Sequence, residues 1–221
     1  MLQSLLRGSS SFAEILVYIV SSLIVVFLTL PIHEFAHGFI ATKLGDPTPR
    51  YQGRMTLNPF AHIDYIGAAC IILFGFGWAK PVQVDARYFK NPKRDMALTA
   101  LAGPVSNIIV ALIAMIIFNF LGLFNIAFTA YLQLFFYYIS LINIGLAVFN
   151  LIPIPPLDGS KLLAALLPDR QYYKLMRYER YFFFILIALL WTGILDIPLD
   201  FLQGVIMRAV QFVAALPFGL F

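Results

Sequence analysis

His33, Glu34 and His37 form the pattern HExxH. On a helix, residues four apart share a face, so both imidazoles can reach one metal ion. Glu34 lies beside them, placed to take a proton from a water that the metal activates. Zinc suits this set, being borderline-soft, redox-inert, tetrahedral and content with nitrogen and oxygen ligands. A catalytic zinc also needs a third protein ligand and an open position. No third histidine follows on the same helix, so that ligand must come from elsewhere in the chain.

Three further clusters are candidates for the rest of a site. In Asn150-Leu-Ile-Pro-Ile-Pro-Pro-Leu-Asp158-Gly159 the prolines unwind the backbone, and Asp158 is the only acid between Asp95 and Asp169. Its carboxylate is either the third zinc ligand or the N-cap of a short helix that follows. In Ala102-Gly103-Pro104-Val105-Ser106-Asn107, Gly103 permits close helix packing, and Pro104 adds a kink. Asn107 there either polarises a scissile carbonyl and steadies its oxyanion or makes an interhelical hydrogen bond. Asn58-Pro59-Phe60-Ala61-His62-Ile63-Asp64 places His62 either near the zinc, as outer partner, gate or extra ligand, or in an interfacial turn. The turn is the simpler reading.

The elements that must position these residues belong to a membrane. Of 221 residues, 61% are hydrophobic and only 12% charged. A soluble domain carries about 25% charged residues, so an aqueous enzyme and a disordered chain are both excluded. The single cysteine, Cys70, rules out an intrachain disulfide and a four-cysteine zinc site. Buried imidazoles and carboxylates in an apolar segment are costly, which makes a functional role the default.

The pattern reads as one all-α polytopic membrane domain over 1–221, with five to six transmembrane helices, a re-entrant segment and a small membrane-associated β element. The core covers about 12–170, and extra helices follow over about 175–216. The first apolar run, Phe12 to Leu44, exceeds what the bilayer needs and should bend at Pro31. Ile63 to Ala79 is too short to span and is expected to re-enter. Val82, Val84, Ala86 and Tyr88 alternate with Gln83, Asp85 and Arg87, a strand period, with Arg50 to Leu57 as a partner strand. Further spans are expected at about 96–123, 128–152, 181–195 and 199–216, with a short helix near 160–167.

Charge orients the chain. Of 15 Lys and Arg, eight fall in 43–95 and five in 161–180, whereas the connections near 121–129 and 196–200 have none. The positive-inside rule makes the basic stretches cytoplasmic. The same placement leaves a nucleic-acid role with little support.

Jointly, HEFAHG (33–38), AGPVSN (102–107) and NLIPIPPLDGSK (150–161) resemble the site-2 protease family of intramembrane zinc metalloproteases, in order and spacing. GWAKPVQV (77–84) is similar to that family's membrane-embedded sheet element. The resemblance covers about residues 12–170. It implies zinc held by His33, His37 and Asp158, Glu34 as general base, and Asn107 holding the substrate or its transition state. It implies transmembrane substrates, such as anti-sigma factors already cut once or signal-peptide remnants, in a prokaryotic cell membrane with the site opening to the cytoplasm. The chain has no room for the PDZ or CBS domains of many relatives and looks like the short branch. A metal transporter and a non-proteolytic metal-binding homologue are the rival readings; Glu34 between the two ligands favours the protease.

Overall fold

Ser11 opens the first helix with a reciprocal cap. Its hydroxyl accepts from the Glu14 amide, and the Glu14 carboxylate accepts from the Ser11 amide. The computed structural model describes residues 11–74, 77–124, 127–168, 170–171 and 177–219. Helix α1 (Phe12–Ile24) passes through a π-helical turn (Val25–Thr29) into α2 (Leu30–Lys43), one continuous run. The helical run is not broken at Pro31. Proline has no amide and its ring presses on the carbonyl four residues back. Widening the preceding turn relieves both, and the Leu30 amide bonds to Val25 O instead.

After α2 come two single turns, α3 (Thr48–Tyr51) and α4 (Pro59–His62), and then α5 (Tyr65–Phe74). Ten residues rise roughly 15 Å, half of the hydrocarbon core. The Lys80 amide donates to His62 O at 2.7 Å, so the chain from 63 to 79 leaves and returns to one place. Asp64 caps α5 by accepting from the Ile66 and Gly67 amides. The Tyr18 hydroxyl ties its far end back to α1 through Ile71 O.

The long α6 (Pro92–Leu121) and α7 (Ala127–Asn150) form an antiparallel hairpin. Helix α6 is central: α2, α7, α8 (Asp158–Leu166) and α10 (Asp196–Ala215) all pack on it. Its buried Ala100, Gly103, Ala111 and Ala114 let those backbones come close. One core joins Tyr18, Val26 and Leu30 to Ile71, Ile142 and Leu146; a second joins Ala111 and Met115 to Ile144, Val148 and Val210. Apolar side chains such as Leu16, Val20, Ile109, Ile113 and Phe201 face outward, as a lipid solvent requires.

Among the described residues, four helical runs are long and apolar enough to cross a membrane: Phe12–Lys43, Pro92–Leu121, Phe128–Asn150 and Asp196–Phe218. Where a further span is expected at about 181–195, α9 (Glu179–Trp191) supplies 13 residues, a rise of about 20 Å, before a turn at Gly193 with φ +71°. Among the described residues there is no β-strand. The stretch 77–85 has no regular secondary structure and joins no ladder; Asp85 is extended, at φ −109° and ψ 104°, and a 3-10 turn follows at Ala86–Tyr88. The partner expected at Arg50 to Leu57 is instead the turn α3 and irregular chain.

Other groups hold the stretch 77–85. Buried Asp46, just past α2, accepts from the Asp85 amide at 2.8 Å and the Thr48 amide at 2.9 Å. Gln52 donates to Gln83. The Asp85 carboxylate pairs with Arg87, whose hydrogen bonds hold its carboxyl below the usual range. The result is a strap lying across α2.

Candidate metal centre

Both imidazoles project from one face of α2, as their spacing requires, and both are buried. His33 Nε2 and His37 Nε2 lie 3.0 Å apart. Asp158, the first residue of α8, brings Oδ2 to 3.0 Å from His37 Nε2 and 3.3 Å from His33 Nε2. Among the described residues these three are the one group of His, Cys, Asp and Glu able to share a metal ion.

The donor set fits zinc. With metal–nitrogen bonds of 2.0–2.1 Å in a tetrahedron, ligand atoms should stand about 3.3 Å apart, close to what is seen. The far nitrogens settle the tautomers. His37 Nδ1 donates to Thr99 O at 2.7 Å, and His33 Nδ1 to Asn107 Oδ1 at 3.3 Å. Each Nε2 is then a lone-pair acceptor. Two such nitrogens and a carboxylate oxygen facing one another would repel, and a cation among them turns that repulsion into binding.

Helix α6 closes the back of this group. A Cβ on Gly103 would lie 2.3 Å from His37 Nε2 and 2.5 Å from His33 Nε2. The sequence marked Gly103 for helix packing; what it packs against is the imidazole pair itself. Pro104 lies inside α6, and the Thr99 carbonyl that receives His37 lies on the turn before it.

Glu34 points elsewhere. Its Oε2 accepts from the Val82 amide at 2.8 Å, and Oε1 has no protein partner among the described residues. Glu34, His33 and Asp158 open on a cavity of about 230 Å³, walled by apolar groups including Trp78, Phe149 and Leu186. The strap thus lies beside the carboxylate, an arrangement that alternation alone did not reveal.

Asn107 is fully buried behind His33 and does not line the cavity, while its Nδ2 has no hydrogen-bond partner among the described residues. The amide on the cavity wall is Asn150, to which sequence reasoning gave no separate task although it opens the NLIPIPPLDG cluster. Lys161 was likewise passed over; its ammonium is 3.1 Å from Asp158 Oδ1, one helical turn away, where i,i+3 spacing could have flagged it. His62 stands apart from the three-residue group. It sits at the end of the turn α4 with its ring buried, and Nε2 meets Thr56 O at 2.9 Å.

Comparison with known proteins agrees with this geometry. The family model described as peptidase family M50 matches residues 123–193, which include Asp158. The Bacillus subtilis protein named "Putative zinc metalloprotease YwhC" is 40% identical over 179 residues, 79% of this chain and 80% of that protein. "Zinc metalloprotease MJ0392" of Methanocaldococcus jannaschii is 28% identical over 150 residues, 68% of this chain but only 35% of that protein. No solved structure gives a significant match. The chain is therefore an integral membrane zinc metalloprotease of peptidase family M50, the site-2 protease family.

Proposed function

We propose that this metalloprotease cuts peptide bonds within or near the transmembrane segments of other membrane proteins, as a step of regulated intramembrane proteolysis. The observation that carries the reading is the convergence of His33, His37 and Asp158 at one point within the helical packing, beside an apolar cavity that also holds Glu34. His33 lies ten residues before Lys43, roughly 15 Å of helix below the basic end. The basic stretches mark that end as cytoplasmic, so water enters from the cytoplasm of a prokaryotic cell.

Zinc bound by the two imidazoles and Asp158 supplies a Lewis acid that polarises the scissile carbonyl and acidifies a water. The chain's own groups do the rest. Glu34, steadied by the Val82 amide through one oxygen, uses the other to take the water's proton and hands it to the leaving amine. No covalent enzyme intermediate is needed. Thr99 O and Asn107 Oδ1 keep both Nε2 lone pairs turned inward. In this reading Asn107 orients His33, and Asn150, which lines the cavity, is the amide that would meet the substrate. Apolar walls exclude bulk water and suit the side chains of a membrane segment.

A substrate helix hides its amides in its own hydrogen bonds and must unwind first. The strap offers an edge to receive it. The Lys80 and Val82 amides bond inward, while those of Ala79 and Gln83 have no partner among the described residues. Pairing along that edge is strand addition. The substrates are membrane-tethered proteins such as anti-sigma factors already cut once, or signal-peptide remnants. A transport role would use the three ligands but leaves Glu34 and its tether without a task.

Replacing Asn107 with Ala frees the His33 ring, and zinc affinity measured by chelator competition is expected to fall about 10- to 100-fold. An unchanged affinity would remove Asn107 from the centre. The function itself is tested in liposomes holding the protein and a panel of transmembrane peptides. Cuts mapped by mass spectrometry should fall within or beside the apolar stretch, stop with a zinc chelator and return with zinc. Cutting confined to soluble loops would overturn the reading.

A further inference from the structure

Asp158 has two oxygens, and the structure uses them differently. Oδ2 faces both imidazole nitrogens, at 3.0 and 3.3 Å. Oδ1 turns away and receives the Lys161 ammonium at 3.1 Å. We propose that Lys161 is a positioning residue of the metal centre: by holding Oδ1 it confines Asp158 to one-oxygen ligation and so keeps the centre four-coordinate, with the reacting water as its fourth ligand. This rests on the reading that His33, His37 and Asp158 hold the zinc.

Three features support it. The first is the backbone that carries both residues. A Cβ on Gly159 would lie 2.3 Å from Leu151 O, and the Ser160 hydroxyl donates to Leu157 O at 2.7 Å. The start of α8 is therefore seated against the turn before it, and Asp158 and Lys161 share one face a turn apart. The second is location. Lys161 lines the same cavity as Glu34 and keeps only 31% of its side-chain exposure, unlike a solvated surface lysine. The third is chemistry. A carboxylate binds zinc through one oxygen or two, and the partner of its outer oxygen decides which. A charge-assisted hydrogen bond is strong enough to hold that oxygen. Without it, Oδ1 can swing toward the metal as a fifth ligand beside the water, crowding a site that works with three protein ligand atoms and one water.

The test uses the full chain in detergent with Co²⁺ in place of zinc, comparing wild type with Lys161→Met, Lys161→Gln and Lys161→Arg. The visible absorption of Co²⁺ is intense in four-coordinate sites and weaker in five-coordinate ones, and it is read without any substrate. Wild type and Lys161→Arg should give the intense four-coordinate spectrum. Lys161→Met should hold equal metal with the weaker spectrum, and Lys161→Gln should fall between. With zinc, Lys161→Met should lose tenfold or more in kcat with KM within twofold, and Lys161→Arg should recover most of that loss. A Lys161→Met spectrum matching wild type overturns the proposal, and a raised KM beside it would make Lys161 a substrate contact. Wild type that binds no Co²⁺ overturns the metal reading and the proposal with it. If Lys161→Met loses its fold, the Gln and Arg pair decides: matching spectra overturn the proposal, and a weaker spectrum for Gln alone upholds it.

Discussion

Glu34→Gln is expected to leave one zinc bound per chain while cleavage of a transmembrane peptide falls about 10²- to 10⁴-fold, the usual worth of a general base. The two results separate because Glu34 stands outside the ligand group: the converging atoms belong to His33, His37 and Asp158. Gln has the same shape, and its amide oxygen can still accept from the Val82 amide, so the strap keeps its anchor. What is lost is the ability to take a proton. Metal content by elemental analysis and initial rates on one preparation check both halves. A variant that cuts within tenfold of wild type would make the carboxylate a structural tether only. One that loses its zinc would put Glu34 among the ligands.

Gly103→Ala should abolish both zinc binding and cleavage, although it adds one methyl group on a helix distant in sequence from both histidines. The new Cβ would stand 2.3 Å from His37 Nε2 and 2.5 Å from His33 Nε2 and Cε1, far inside contact distance. Either the rings turn, breaking the bonds from Nδ1 to Thr99 O and Asn107 Oδ1, or α2 and α6 move apart. Overpacking of this kind costs about 1–3 kcal/mol, and each buried polar group left without a partner costs about 1–3 kcal/mol more. The ligand geometry gives way first, because metal binding needs all three atoms at once. Ile109→Ala, on the outward face of the same helix, should keep its zinc and its activity. Full zinc occupancy in Gly103→Ala would mean that α6 does not lie against the imidazoles.

Some of this was legible in the residues and some was not, for physical reasons. His33, Glu34 and His37 are a local pattern whose geometry follows from helix pitch alone. Asp158 is not local: 121 positions separate it from His37, so the sequence leaves it as either ligand or cap; it is the third converging group, and the cap position of α8 falls on Leu157, with no side-chain capping bond. Gly103 announced a close approach but not its neighbour, which is fixed by how α2 crosses α6. The alternation at 82–88 falls on irregular chain and a 3-10 turn at Ala86–Tyr88 rather than on a paired strand. The partners of the strap's amides are one backbone carbonyl and two carboxylates, from His62, Glu34 and Asp46, and no period can reveal those. Apolar composition over 181–195 looked like a span. The helix there, α9, is short for a span, ending at Trp191 before the chain turns at Gly193. Pro31 disrupts helical hydrogen bonding as expected, but the chain absorbs it with a π turn that keeps α1 and α2 in one run.

The central claim is that two imidazoles and one carboxylate oxygen hold a four-coordinate zinc with room for water. Zinc K-edge X-ray absorption on the full chain in detergent tests it most directly. The account predicts four light ligands at about 2.0–2.1 Å, with multiple scattering from two imidazoles that falls to one in His33→Ala. A thiolate shell near 2.3 Å, six oxygens without imidazole, or a spectrum unchanged by His33→Ala would contradict it.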